Sequence, residues 1–167
     1  EILLKADPDN RTYRTSYATA WVGMGDHEKA LTLYRDLLAT AEAAFDAVTR
    51  VVRHGATIEE ILAAADVVEQ SGFTICDDLM HGFGGGYFQP IIGSRSRPAG
   101  PLPKMTLEEN MTVVVQPNVT TAETDGCKRA GVQTGELIRV TKTGFEKLHR
   151  TPRGAGSTPS AQGGRAR

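Results

Sequence analysis

The sequence predicts an α+β domain in which a strand hairpin is followed by two helices and then mainly by strands. Three observations support this prediction. Residues 2–4 and 12–22 are rich in β-branched and aromatic side chains on either side of a turn sequence. Residues 26–72 show a helical repeat of apolar positions, and the apolar segments after them are short and separated by glycine, proline or threonine.

The N-terminal hairpin is predicted from its turn. Residues 7–10 read Asp-Pro-Asp-Asn, where proline presets φ and the Asp and Asn side chains bond nearby backbone groups. The β-branched segments on both sides then favour paired strands. The chain opens on Glu1 without an initiator methionine or a signal-peptide pattern. We therefore expect that the domain is truncated at its N-terminus.

The first helix is predicted to begin at Asp26 and to end before Gly55. Apolar residues recur there at steps of three and four, with charged residues between them, as in an amphipathic helix. A second helix is predicted from Thr57 to Gly72. The Thr57 hydroxyl and the Glu60 carboxylate, three residues apart, predict a capping box at its start.

The remaining segments are predicted as strands around a glycine-rich stretch. Strands are expected at residues 73–76, 112–116, 132–140 and 145–148, and residues 80–87 read Met-His-Gly-Phe-Gly-Gly-Gly-Tyr. Such glycine density implies unusual backbone angles or the close approach of another group. Because no Gly-Lys-Ser/Thr ending is present and no helix follows, the stretch is neither a P-loop nor a dinucleotide fingerprint.

Composition and charge exclude several classes of function. The chain has 19 Lys and Arg against 20 Asp and Glu, a net charge of −1, which argues against electrostatic binding to nucleic acid or to a membrane surface. Cys76 and Cys127 lack CxxC spacing, so neither a zinc knuckle nor a disulfide framework is indicated. A reduced, cytoplasmic setting is expected. Residues 150–167, rich in Gly, Pro, Ser and Arg, are expected to form a disordered tail.

His81 is the candidate proton-transfer residue, although a single histidine is more often structural than catalytic. Asp77 and Asp78 precede it, and successive residues of an extended chain point to opposite sides. Glu136, just before an apolar strand, is the acid after the helices that best fits an inward position. For all of these carboxylates, however, a solvated position is expected.

Taken together, four stretches resemble the M24 family, which has the pita-bread fold and includes methionine and Xaa-Pro aminopeptidases, prolidases and creatinase. Residues 54–61 are similar to the start of a helix in that family, and residues 80–84 to its Gly-His-Gly-Ile-Gly motif. Residues 110–117 and 131–141 are similar to the two strand motifs that carry its glutamates. The resemblance implies that residues 1–149 are the C-terminal portion of a catalytic-type domain, a curved and mostly antiparallel sheet covered by helices.

The resemblance also implies a metal site that this sequence fills poorly. Active members hold two divalent metals, such as Mn, Co or Zn, with two Asp, one His and two Glu. His81 takes the histidine position, but Gln116 and Gly135 take the glutamate positions, and the aspartates fall near Leu4 and Thr15. Hard cations need several anionic oxygens. We therefore expect no metal and no other cofactor.

Two nearby positions also depart from the family pattern. A one-residue slip would bring Glu136 to the second glutamate position, but its side chain would then lie on the wrong face of the strand. The family's second, substrate-facing histidine falls on Phe88.

The function predicted first is an M24-type hydrolase that acts on a small amide or C–N bond without a metal. The resemblance to creatinase implies that His81 is the general acid and base, with Gln116 orienting water or substrate. The predicted substrate-binding residues are Phe83, Gly84, Gly85, Tyr87 and Phe88.

Two alternatives stay open. Pita-bread domains without metal ligands also serve as peptide- or protein-binding modules, and such a module would tolerate the loss of His81. A metal-dependent Xaa-Pro aminopeptidase follows if the ligands are misregistered. The expected partner is a small-molecule or peptide substrate, with no nucleic acid and no membrane. The creatinase-type relatives imply that a homodimer can form.

Overall fold

A computed structural model describes residues 27–121 and 130–150 of the chain. The predicted N-terminal hairpin, Cys127 and the predicted tail after residue 150 lie outside these residues. The helices are α1 (His27–Val51), α2 (Ile58–Ala64) and α3 (Val67–Gln70). The strands are β1 (Thr74–Ile75), β2 (Met80–Phe83), β3 (Tyr87–Ile92), β4 (Thr112–Val115), β5 (Asn118–Thr120), β6 (Gly131–Gln133), β7 (Glu136–Val140) and β8 (Phe145–Lys147).

The strands form two antiparallel sheets. The larger has the order β3-β2-β4-β7-β8, and the smaller has the order β1-β5-β6. Helix α1 contacts both sheets and both shorter helices. The predicted α+β architecture, with antiparallel sheets covered by helices, is confirmed.

Helix α1 buries one continuous face, as its apolar periodicity predicts. Leu37, Ala41, Ala44 and Val48 have no exposed surface, and Phe45 is nearly as buried. Small alanines among larger side chains let the helix lie close to its neighbours. None of the described helices, α1 included, has the length and apolarity needed to cross a lipid bilayer.

The second predicted helix is divided in two. The capping box at its start is confirmed, since the Thr57 hydroxyl accepts from the Glu60 amide at 3.1 Å and the Glu60 carboxylate accepts from the Thr57 amide at 2.7 Å. A single helix up to Gly72 is wrong. At Asp66 the backbone changes from the α-helical hydrogen-bond pattern to the tighter 3₁₀ pattern: the Asp66 amide donates to the carbonyl oxygen of Ala63, three residues earlier, at 3.2 Å.

The register of the larger sheet separates a core face from an open face. Met80 pairs with Val115 and Ile92, and all three are buried in the core. His81 is the next residue on β2, and it pairs with Val114. Because neighbouring strand residues point to opposite faces, the His81 side chain leaves the sheet on the side away from the Met80 row.

Candidate functional site

The glycine-rich stretch is the hairpin that carries His81. Strands β2 and β3 meet in a turn at residues 84–86, where Gly85 has φ +85°. The register shifts between His81 and Gly82. A Cβ atom on Gly82 would lie 2.4 Å from the backbone oxygen of Gln89, so only glycine fits at this irregularity.

His81 is buried and its ring is held on two sides. Its Nδ1 lies 3.0 Å from the carbonyl oxygen of Gly82. Since a carbonyl oxygen can only accept, Nδ1 carries the hydrogen in the neutral ring and Nε2 keeps its lone pair. The Tyr87 ring stacks on the imidazole with centroids 3.8 Å apart and an interplanar angle of 19°. The ring of Phe83 lies further away, with centroids 6.4 Å apart.

A buried carboxylate lies next to Tyr87. Asp78 is 2% exposed, and its Oδ1 accepts from the Gln116 side-chain amide at 2.9 Å. Burial of the Tyr87 hydroxyl, together with the adjacent Asp78 carboxylate, raises the pKa of Tyr87 above its ordinary value. The solvated position expected for Asp78 is therefore wrong.

Asn118 explains why Asp78 is buried. Its Oδ1 accepts from the amides of Cys76 and Asp77, both at 3.0 Å, and its Nδ2 donates to the carbonyl oxygen of Asp78 at 3.1 Å. These bonds hold the turn after β1 against the start of β5. Asp77 stays exposed while Asp78 points inward, in agreement with the predicted alternation of the two side chains.

Gln116 joins Asp78 to β6. Its Nε2 donates to Asp78, and its Oε1 accepts from Nε2 of Gln133 at 3.2 Å. The amide is thus fixed in one orientation by an acceptor on one side and a donor on the other. Five residues form this arrangement, which we call the Asp78–His81 site: Asp78, His81, Tyr87, Gln116 and Gln133.

Glu136 lies outside that site. It pairs with Val115 in the row that faces the core, and it is 5% exposed. Its Oε1 accepts from its neighbour's amide, Leu137 N, at 3.0 Å and lies 2.6 Å from Nδ1 of His149. A solvated Glu136 is therefore also wrong, because the strand register turns the side chain inward and His149 covers it.

Gly135 has no room for a side chain. A Cβ atom there would lie 2.8 Å from the backbone oxygen of Val115 and 3.1 Å from the Cβ atom of Gln116. The end of β4 therefore occupies the space in which a ligand on residue 135 would begin.

The described residues do not fit the two-metal centre that the resemblance implies. Within residues 27–121 and 130–150, no three His, Cys, Asp or Glu side chains converge closely enough to hold a metal ion. Gln116 turns its NH₂ group, which repels a cation, toward Asp78, and Gly135 offers no ligand atom. The predicted aspartate positions near Leu4 and Thr15 lie outside the described residues.

The predicted substrate-binding residues lie in three places. Tyr87 and Phe83 flank His81, and Gly84 and Gly85 form the hairpin turn. Phe88 pairs with Gly82 and lines a cavity of about 250 Å³, together with residues 110–113. Phe83, Tyr87 and Phe88 are each about half exposed. Their role in substrate binding stays a prediction.

Sequence reasoning missed two members of the Asp78–His81 site, Asp78 and Gln133, and also Asn118, which supports Asp78. Asp78, Asn118 and Gln133 are joined to their partners across long stretches of chain: Gln116 and Asp78 are 38 residues apart, and Cys76 and Asn118 are 42 apart. The one local signal was the Asp77–Asp78 pair, in which alternation requires one of the two to point inward.

Comparison with known proteins gives consistent results. The sequence model of Metallopeptidase family M24 matches residues 2–142. No curated protein sequence matches this chain. Among solved structures, methionine aminopeptidase from Rickettsia prowazekii is 25% identical with a TM-score of 0.55, over 70% of this chain and 52% of that protein.

Two further structures share the fold. Prolidase from Pyrococcus furiosus is 21% identical with a TM-score of 0.57, over 71% of this chain and 33% of the prolidase. X-Pro aminopeptidase from Thermotoga maritima is 21% identical with a TM-score of 0.55, over 73% of this chain and 32% of that enzyme. The chain thus spans about half of the first structure and about a third of the other two.

Proposed function

The chain belongs to metallopeptidase family M24, and from that premise we propose that it hydrolyses an amide or related C–N bond with His81 as proton carrier and without a metal. The named relatives, a methionine aminopeptidase and a prolidase, are peptidases, which supports hydrolysis as the reaction class. Gln116 and Gly135 stand where the family resemblance implies carboxylate ligands. Without those carboxylates, hydrolysis without a metal is favoured over metal-dependent hydrolysis.

The observation that carries this proposal is the fixed imidazole of His81. Stacking on Tyr87 and the contact of Nδ1 with the Gly82 carbonyl leave Nε2 as the proton acceptor. In the proposed reaction Nε2 takes a proton from the attacking water as the new C–O bond forms. The same nitrogen returns that proton to the leaving nitrogen as the C–N bond breaks. An imidazole can both accept and donate a proton, so it suits both steps.

Gln116 would position the reactants. Because Asp78 and Gln133 fix its amide, the second lone pair of Oε1 has a set direction and can accept from water or from substrate N–H. A positioned group of this kind contributes by orientation and carries no charge into the site.

The experiment is a hydrolysis assay of the purified protein with small amides and dipeptides, with and without excess chelator. Activity should survive chelation, whereas a loss that manganese or zinc restores would overturn the metal-independent mechanism. His81→Ala should lower kcat by roughly 10²–10⁴-fold and leave the circular dichroism spectrum unchanged. His27→Ala, an exposed histidine at the start of α1, is the matched control and should keep full activity.

A binding module is the second candidate, because aromatic side chains are exposed beside a cavity. Phe83 and Phe88 line the cavity of about 250 Å³, and Tyr87 lies in the same hairpin. Exposed aromatic side chains next to a concave surface are common at peptide-binding sites. A binding module would bind peptides in both the unmodified protein and His81→Ala, and neither would hydrolyse them. This result would favour the binding function over the hydrolase.

A further inference from the structure

A buried carboxylate oxygen, Oδ2 of Asp78, lies inside the Asp78–His81 site. Asp78 Oδ2 is buried, and among the described residues it has no hydrogen-bond partner. No ion pair within residues 27–121 and 130–150 includes Asp78 either. A buried carboxylate is strongly unfavourable unless a proton, a donor or a cation compensates it. Oδ2 therefore marks a place where a positively charged donor would be stabilised.

The surroundings of this oxygen match the chemistry of cation recognition. The Gln116 amide already occupies Oδ1 at 2.9 Å and so directs any further donor to Oδ2. The Tyr87 hydroxyl lies next to the same carboxylate, and its burial, followed by the contact with Asp78, raises the pKa of Tyr87. A buried carboxylate oxygen binds ammonium and guanidinium groups through charge-assisted hydrogen bonds.

We propose that Asp78 Oδ2 binds the positively charged nitrogen group of the molecule that enters the Asp78–His81 site. This inference rests on the proposed function for the location of the site and adds the class of ligand, a cationic ammonium or guanidinium compound. Asp78 is neither of the positions, Gln116 and Gly135, to which the family resemblance assigns glutamate ligands. The proposed anionic subsite is therefore not one of the positions carried over from the family resemblance.

Asp78 Oδ2 is buried, so a side chain beside it has to move before a cation can reach it. The Tyr87 hydroxyl lies beside the carboxylate, and the Tyr87 residue is 53% exposed. In the proposal Tyr87 shifts along the His81 ring to admit the cation, and the two rings stay stacked.

The experiment titrates the purified chain with methylammonium, methylguanidinium and the uncharged N-methylacetamide. Nuclear magnetic resonance follows the side-chain amide of Gln116 and the imidazole of His81. We expect at least one cation to give saturable shifts at both groups and the uncharged probe to give none. The cation that binds more tightly identifies the nitrogen group. Absence of saturable shifts with both cations overturns the proposal, and this result needs no variant.

Two variants separate the buried charge from its exposed neighbour. Asp78→Asn keeps an oxygen acceptor for Gln116 but removes the charge, so the affinity for the cation should fall about tenfold or more, as for loss of a hydrogen bond to a charged group. Asp77→Asn removes the same charge from the exposed neighbouring residue and should leave the affinity unchanged. Equal losses in both variants would mean that the cation responds only to general surface charge, and the proposal would be wrong.

The outcome for Asp78 is separable from the outcome for hydrolysis. Cation binding that persists in His81→Ala, after hydrolysis has been lost, supports both proposals. Hydrolysis by a protein that binds neither cation overturns the Asp78 assignment alone. Cation binding by a protein without hydrolytic activity overturns the hydrolase and leaves the cation site in place.

Discussion

At the residue scale, Gly135 combines a sequence departure with a packing constraint. It stands at a position where the family resemblance implies a glutamate, and the backbone of Val115 and Gln116 fills the volume that a Cβ atom would need. The absence of a side chain is thus required by the structure around it, and the same crowding applies to alanine.

Gly135→Ala should lower the free energy of unfolding by about 1–3 kcal/mol, the usual penalty for forcing extra atoms into packed structure. Urea denaturation measures this difference. Gly144→Ala is the matched control, since nothing lies within 4 Å of a Cβ atom at Gly144, and its effect should stay within about 0.5 kcal/mol. Equal stability of the two variants would contradict the crowding at Gly135.

At the element scale, helix α2 is held at its first turn by one carboxylate. Glu60 accepts from the Thr57 amide and from the Arg53 guanidinium, both within 2.8 Å. The hydrogen bond from Arg53, followed by those from the Thr57 backbone and hydroxyl, lowers the pKa of Glu60 from 4.5 to about 2. The charged form is therefore favoured in the folded state.

Glu60→Gln should lower the melting temperature at neutral pH, and this difference should shrink as the pH falls. Because the pKa of Glu60 is depressed on folding, its stabilising contribution is present above pH 4.5 and is lost as the pH falls toward about 2. Thermal melts of both proteins between pH 7 and pH 2 test this. A difference that stays constant over that range would show that the carboxylate charge has no role in capping α2.

At the scale of the whole molecule, helix α1 supplies the centre of the core. It contacts the two shorter helices and both sheets, and Leu37 and Phe45 are among its largest fully buried side chains. The core face of the larger sheet adds Met80, Val115 and Ile138. Loss of core volume on α1 should therefore weaken the whole described fold.

Leu37→Ala should lower the free energy of unfolding by about 2–5 kcal/mol, through lost burial and the cavity that remains. Guanidinium denaturation gives the value. Leu102→Ala removes the same atoms from a side chain that is 45% exposed, and it should change stability by less than about 1 kcal/mol. If Leu102→Ala were as damaging as Leu37→Ala, the assignment of the core to α1 would be wrong.

Much of the fold could be predicted from the sequence because its signals are local. Helix α1 follows from apolar steps of three and four, and the start of α2 follows from Thr57 and Glu60. The glycines of residues 82–86 predicted a tight turn, but the strands β2 and β3 on either side of it were not predicted. The division between α2 and α3 could not be predicted. The division occurs at Asp66, where the backbone takes the 3₁₀ pattern. The Asp66 carboxylate accepts a hydrogen bond of 2.8 Å from Arg95, which lies 29 residues further along the chain.

The candidate site was predictable only in part, for a related reason. His81 and Gln116 were identified by motif, and the structure places both in the Asp78–His81 site. Asp78 acquires its position from Asn118, and Gln133 acquires its position from the pairing of β5 with β6. Such contacts leave no periodic trace in the sequence, since they depend on tertiary packing rather than on neighbouring residues.

The crowding at residue 135 also bears on any attempt to build a metal centre into this protein. A glutamate introduced there would first meet the main chain of Val115 and Gln116, and the strain would lower stability before any cation could be bound. A carboxylate ligand at this position therefore requires a second change that shifts that main chain.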